Sequence, residues 1–198
     1  MVAPIPLRRR EPPRATKRPE LIASPVLAML IFVITELMFF AGFISAFTIM
    51  RGSAVIWPPP GQPRLPVAET AFNTGLLLAS GLLLYLGGRR YRARPDQARR
   101  AILVAIGLGA GFVALQGREW VQLLAQGLTM SSSALGSFFY LIVGIHALHA
   151  VVALGVLLYV WRRLGRGPVP RATLAAAEIF WYFVVGVWPF LYWRVYLS

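Results

Sequence analysis

Five long apolar runs separated by arginine-rich connectors restrict this chain more than any other feature. They cover residues 25–50, 70–88, 100–124, 134–161 and 171–197. Each holds the roughly 20 residues that a helix rising about 1.5 Å per residue needs to cross about 30 Å of hydrocarbon. With five spans in 198 residues, little chain is left for a domain outside the bilayer. The expected fold is all-α and polytopic. A basic, proline-rich arm over residues 1–22 precedes a five-helix transmembrane domain over residues 23–198.

The basic residues are distributed unevenly about these spans. Arg8, Arg9, Arg10, Arg14, Lys17 and Arg18 crowd the arm. Arg89, Arg90, Arg92, Arg94, Arg99 and Arg100 fill the second connector, and Arg162, Arg163, Arg166 and Arg171 the fourth. The first connector has only Arg51 and Arg64, and the third has none. Short loops rich in Lys and Arg stay cytoplasmic, which predicts a cytoplasmic N-terminus and, after five spans, an external C-terminus. The formal charge of +13 is thus a membrane-orientation signal that meets anionic headgroups, and nucleic acid is not implied. The first run is too long for a signal-peptide core and has no small-residue cleavage site after it. With no cysteine, disulfides, thiolate-bound copper and iron–sulfur clusters are excluded.

Local features refine the picture. Pro25 fits the first turn of the first helix, where a missing N–H costs little. Trp57-Pro58-Pro59-Pro60 makes the first external loop extended, with Trp57 as an interfacial anchor. Asn73 is placed to satisfy groups at the start of the second helix. Gly107 and Gly111 predict a face of close helix approach, as do Gly42 and Ala46. Gly186 and Pro189 predict a kink in the last helix.

Polar groups at bilayer depth call for a partner or a function. These are Glu36, Arg118, Glu119, His146, His149 and Glu178. His146 and His149 share one helix face and are spaced as two metal ligands, with Glu36 or Glu119 as a carboxylate. Against a metal, two neighbours on one helix cannot bind both sides of a haem iron, and no repeated Glu-x-x-His motif is present. Interhelical hydrogen bonding of the histidines is the plainer reading. Arg118 calls for an acid or a lipid phosphate. Two readings of Glu36 stand open: a protonated, hydrogen-bonded carboxyl, or one in a cavity that binds lipid or relays protons. No phosphate loop, catalytic triad or extramembrane pocket is present, so the chain has no catalytic centre of its own.

Taken in order, these motifs resemble subunit III of haem–copper terminal oxidases in its short, five-helix bacterial form. The resemblance runs over residues 27–196. Glu36-Leu37-Met38-Phe39-Phe40-Ala41-Gly42 is similar to the family's glutamate-x-Met-Phe-Phe-x-Gly signature. Trp57-Pro58-Pro59, Asn73-Thr74 with Leu77 and Ser80, Gln116-x-x-Glu119, Gly136-Ser137-Phe138-Phe139 and Gly144-x-His146-x-x-His149 follow on the matching helices. The last helix departs from the pattern. Trp181-Tyr182-Phe183-Val184-Val185 lacks the family's histidine and aspartate, and a glutamate expected at Ala175 stands at Glu178.

The resemblance implies packed helices around a cleft filled with bound phospholipid, the absent helix pair being left to a neighbouring subunit. It implies a subunit without haem or copper that lies against subunit I, with subunit II nearby, and stabilises a complex reducing O₂ to water. Haem and copper would belong to those partner subunits. Glu36 corresponds to the cleft carboxyl that supports proton uptake, while Arg118, Glu119, His146, His149 and Trp57 are expected in lipid or interhelical contacts. Two other readings are an equivalent subunit of a quinol oxidase or nitric-oxide reductase, and a small membrane transporter.

Overall fold

A computed structural model describes residues 24–91 and 93–197. The expected basic arm over residues 1–22 lies outside them, as does Arg92 of the second connector. The described chain forms five helices, each long and apolar enough to cross a membrane. They are α1 (Ser24–Ser53), α2 (Val67–Arg90), α3 (Pro95–Ala125), α4 (Ala134–Leu164) and α5 (Arg171–Tyr192), and a single π-helical turn, Trp193–Leu197, extends α5. In hydrocarbon each backbone N–H and C=O must be paired inside its own segment, which is why such runs become helices. Pro95 opens α3 in its first turn, and the Ser133 side chain caps α4 by accepting the Gly136 N–H.

Cross-helix contacts define the packing order. Thr70 near the start of α2 bonds Glu119 near the end of α3, so these two helices run antiparallel. Trp120 of α3 meets Tyr140 of α4 at 5.7 Å between ring centroids, and at the other end Arg99 lies 4.7 Å over the Trp161 ring. Phe32 touches Phe180 at one end of α1 and Thr48 accepts from Arg194 at the other, so α1 and α5 run parallel.

Helix α5 is the central post. Trp181 and Trp188 are fully buried, two turns apart on one face. Their indole N–H groups donate to the Ser80 hydroxyl at 3.0 Å and the Thr74 hydroxyl at 2.9 Å. A third rung follows where the Tyr192 hydroxyl donates to the Val67 carbonyl at 3.0 Å. Toward the arginine-rich end, the Tyr91 hydroxyl closes the seam by donating to the Val169 carbonyl and accepting the Val169 N–H. Apolar packing alone is weakly directional between helices in lipid, so these bonds fix the rotation and register of α5 against α2.

The close approach expected at Gly107 and Gly111 occurs one helix face away, at Gly109. Nothing lies within 4 Å of a side chain built at 107 or 111, whereas a methyl at Gly109 would come within 2.6 Å of the Trp181 ring and 2.9 Å of Leu154. Gly42, also expected at a tight contact, has open space beside it. Gly186 and Pro189 lie inside α5, which continues as helix to Tyr192 before widening into the π turn. Pro189 has no N–H to close the preceding turn, which leaves a backbone carbonyl without its helical partner there.

The Gly109 contact generates a paired prediction. Gly109→Ala should lower stability in detergent by about 1–3 kcal/mol, because the Trp181 ring is held by its Ser80 bond and cannot yield freely. Gly107→Ala, on the open face of the same helix, should leave the thermal midpoint unchanged or slightly raised, as expected for added helix propensity.

Candidate functional site

Glu36 projects from the middle of α1 toward α4. Its Oε2 lies 3.2 Å from Nε2 of His149, and both side chains retain partial exposure. The other ring nitrogen, Nδ1, faces the Ile145 carbonyl one turn back at 2.8 Å. A carbonyl can only accept, so Nδ1 carries a hydrogen, and in the neutral ring Nε2 is then bare. A hydrogen bond between Nε2 and the carboxyl then needs a hydrogen on one of the two, from either the histidine or the acid. Phe40 and Phe183, each 5.7 Å from the imidazole between centroids, join Phe32 and Phe180 to wall the ring from four sides. Beside this pair a groove of about 450 Å³ runs between α1 and α5, lined by Val33, Leu37, Phe40, Tyr182, Phe183 and Phe190 among others.

His146 occupies a different environment from His149, although they are one helical turn apart. It is 1 % exposed, its ring lies tilted against Trp188 at 5.0 Å between centroids, and neither nitrogen has a hydrogen-bond partner among the described residues. Phe40 and Phe112 complete its shell.

Glu119 is buried at the far end of the bundle, held on three sides. Asn73 donates to Oε1 at 2.6 Å, while Thr70 and Gln116 donate to Oε2 at 2.9 and 2.8 Å. The Gln116 amide also reaches the Tyr196 hydroxyl at 3.1 Å, tying the π turn to the same network. The neighbouring Arg118 is exposed. Trp57 folds back onto α1, 5.7 Å from Phe47 between centroids, with the Arg51 guanidinium 5.9 Å over its ring. Glu178 accepts from Arg171 at 2.8 Å through Oε2, and its Oε1 sits against Gly88 in space that any side chain would fill.

The titratable groups thus fall into separate sets, and no group of three or more His, Cys, Asp or Glu converges among the described residues. His146, His149, Glu36 and Glu119 do not surround a common point. Sequence reasoning missed Thr70, Tyr196 and the Trp188–Thr74 bond as members of polar contacts. The signal available for Thr70 was its spacing of three from Asn73, which places both on one face of α2.

Two histidines on α4, a glutamate on α1, a caged glutamate on α3 and a tryptophan-rich last helix form one ordered set. The profile of the family described as "Cytochrome c oxidase subunit III" matches residues 22–198. The chain belongs to that family. A "Probable cytochrome c oxidase subunit 3" of Nocardia farcinica is 33 % identical over 187 residues, covering 90 % of this chain and 89 % of the relative. "Cytochrome c oxidase subunit 3" of Synechocystis is 31 % identical over 174 residues, covering 85 % and 73 %. The sheep protein of the same name is 31 % identical over 185 residues, covering 85 % and 67 %. This is therefore a multi-pass membrane subunit of the haem–copper oxidase type, and it works as a member of an oxidase complex.

Removing the Glu119 carboxylate strands Asn73, Thr70 and Gln116 together, and each stranded buried group costs about 1–3 kcal/mol. Glu119→Ala should therefore destabilise the chain by about 2–4 kcal/mol, less than the sum because the groups can partly re-pair. Glu119→Gln should recover more than half of that loss. Unfolding in mixed micelles, followed by tryptophan fluorescence, would measure both.

Proposed function

We propose that this chain is the redox-inactive subunit III of a bacterial terminal oxidase. It stabilises subunit I and supports proton uptake by that subunit. The observation that carries this reading is the Glu36–His149 pair, whose Oε2 and Nε2 lie 3.2 Å apart, close enough to hold a proton between them, beside an open apolar groove. A carboxyl bonded to an imidazole in a low-dielectric aromatic shell can pass that proton with little reorganisation, because both partners keep their positions in either state. Both side chains are partly exposed, so a group on a neighbouring subunit can reach the pair without opening the bundle.

The groove has the form and lining to take an acyl chain of a bound phospholipid, which would seal the pair from bulk water. Helix α1 is the most exposed of the five, with Met38 72 % and Ile49 73 % accessible. Such a face fits lipid on one side and a neighbouring subunit on the other. The arginine-rich connectors favour the bacterial cytoplasmic membrane with the N-terminus inside and the C-terminus outside. Haem and copper, held by subunits I and II, would carry out the reduction of O₂, and this chain would contribute no ligand to them. The names of the relatives favour cytochrome c over quinol as the electron donor.

Glu36→Gln in the assembled oxidase tests the role of the carboxyl. The amide can still donate to Nε2, so the tether between α1 and α4 stays while the transferable proton is lost. Proton uptake is expected to slow severalfold and the enzyme to inactivate sooner during turnover, with assembly unchanged. Equal proton uptake and equal lifetime would reduce the pair to a structural tether. A spectrum without haem in the purified complex would remove the oxidase assignment itself.

A further inference from the structure

At the arginine-poor end of the bundle, the seam between α2 and α3 opens into a second cavity of about 290 Å³, remote from the α1–α5 groove. It is lined by Glu69, Phe72, Asn73, Leu115, Arg118 and Glu119. We propose that this cavity binds the headgroup of a zwitterionic aminophospholipid of the ethanolamine class. Arg118 takes the phosphodiester and Glu69 the ammonium.

The depth of the site is fixed by bonds already described. Thr70 and Asn73 both bond Glu119, so Arg118, next in sequence to Glu119, stands level with the first two turns of α2. Glu69 lies two residues into α2 and Arg118 seven residues before the end of α3. These positions are about 3 Å and about 10 Å from the helix ends at about 1.5 Å per residue, which is headgroup and glycerol depth in a bilayer. An arginine there is costly unless it meets an acid or snorkels to phosphate.

Neither rim charge is satisfied within the described chain. Arg118 and Glu69 are both exposed, and no ion pair or hydrogen bond joins either side chain to another described residue. Glu119, on the cavity floor, has its oxygens occupied by Asn73, Thr70 and Gln116 and is not free to neutralise Arg118. What remains is one cation and one anion on the rim of a single small cavity. A purely anionic headgroup would satisfy Arg118 but set its phosphate near the Glu69 carboxylate. A choline headgroup would offer Glu69 no N–H donor. An ethanolamine phosphodiester carries an acceptor for the guanidinium and three ammonium donors for the carboxylate. Phe72, 66 % accessible, and Leu115 supply the apolar surface on which its acyl chains can lie. The site depends on the spanning fold and is independent of the role proposed for Glu36.

The test uses the intact oxidase complex in nanodiscs of mixed ethanolamine and glycerol phospholipids, with bound lipids counted by native mass spectrometry. Arg118→Gln and Glu69→Gln are each expected to remove about one ethanolamine lipid per complex, while the double substitution removes no more than either alone. Both residues are exposed, so folding is not at stake, and the haem spectrum reports assembly. Equal retention of ethanolamine lipid in all variants would overturn the proposal. So would a wild-type complex that retains glycerol lipid there in preference, or a crosslink from residue 118 to a neighbouring subunit in place of lipid. Unchanged proton uptake in the variants would separate this site from the Glu36 pair without weakening it.

Discussion

The indole N–H groups of Trp181 and Trp188 are the constraint from which the rest of the bundle follows. Buried in a protein interior with no water to accept from them, they must find oxygen on a neighbouring helix, and Ser80 and Thr74 provide it. Interhelical bonds of this kind contribute only about 0.6 kcal/mol each on average in membranes. Their larger effect is geometric, since a helix that is apolar on most faces can rotate or slide with little change in packing energy. Two indole bonds and the Tyr192 bond to Val67 leave α5 one rotation and one register against α2.

Both polar sites inherit that rotation. On one side of α5 it presents Phe180 and Phe183 to His149, completing the aromatic shell around that ring. On the other it leads into the π turn, which carries Tyr196 to the Gln116 amide and so to Glu119. Trp188 itself packs against His146 between the two. Among the described residues the ring nitrogens of His146 have no hydrogen-bond partner. The two sites are thus joined mechanically through α5.

The number and rough limits of the spans were legible in the sequence because hydropathy over about 20 residues needs no knowledge of neighbours. The rotation of each helix was not. Gly107 and Gly111 form a small-residue stripe as good as any in the chain, yet the bulky partner Trp181 faces Gly109. Only a tertiary constraint on α5 decides between those faces, and α3 alone carries no sign of it. Glu36 and His149 were each conspicuous as polar groups in apolar runs. Their pairing, 113 positions apart in sequence (149 minus 36), depends on the α1–α4 packing and could not be read from either run. Arg118 and Glu119 are adjacent charges in an apolar run, and a 100° step around the helix exposes the first and buries the second.

The last helix shows why lost family residues need not unmake the fold. The family's histidine and aspartate positions here are Tyr182 and Val185. Tyr182 lines the α1–α5 groove, and Val185 packs over Gly81, where a methyl would come within 2.9 Å of its Cγ1. Those positions thus serve apolar packing and leave no unpaired charge behind. Glu178 meanwhile stands three residues after Ala175 on a neighbouring part of the same face, bonded to Arg171 and seated over Gly88. A buried acid is tolerated only with a partner and room, and this one has both at the arginine-rich end of the bundle. The consequence falls on Glu36. With the helix-5 polar pair replaced by a phenol and an aliphatic side chain, the polar contact of α1 beside the groove is the one Glu36 makes with His149.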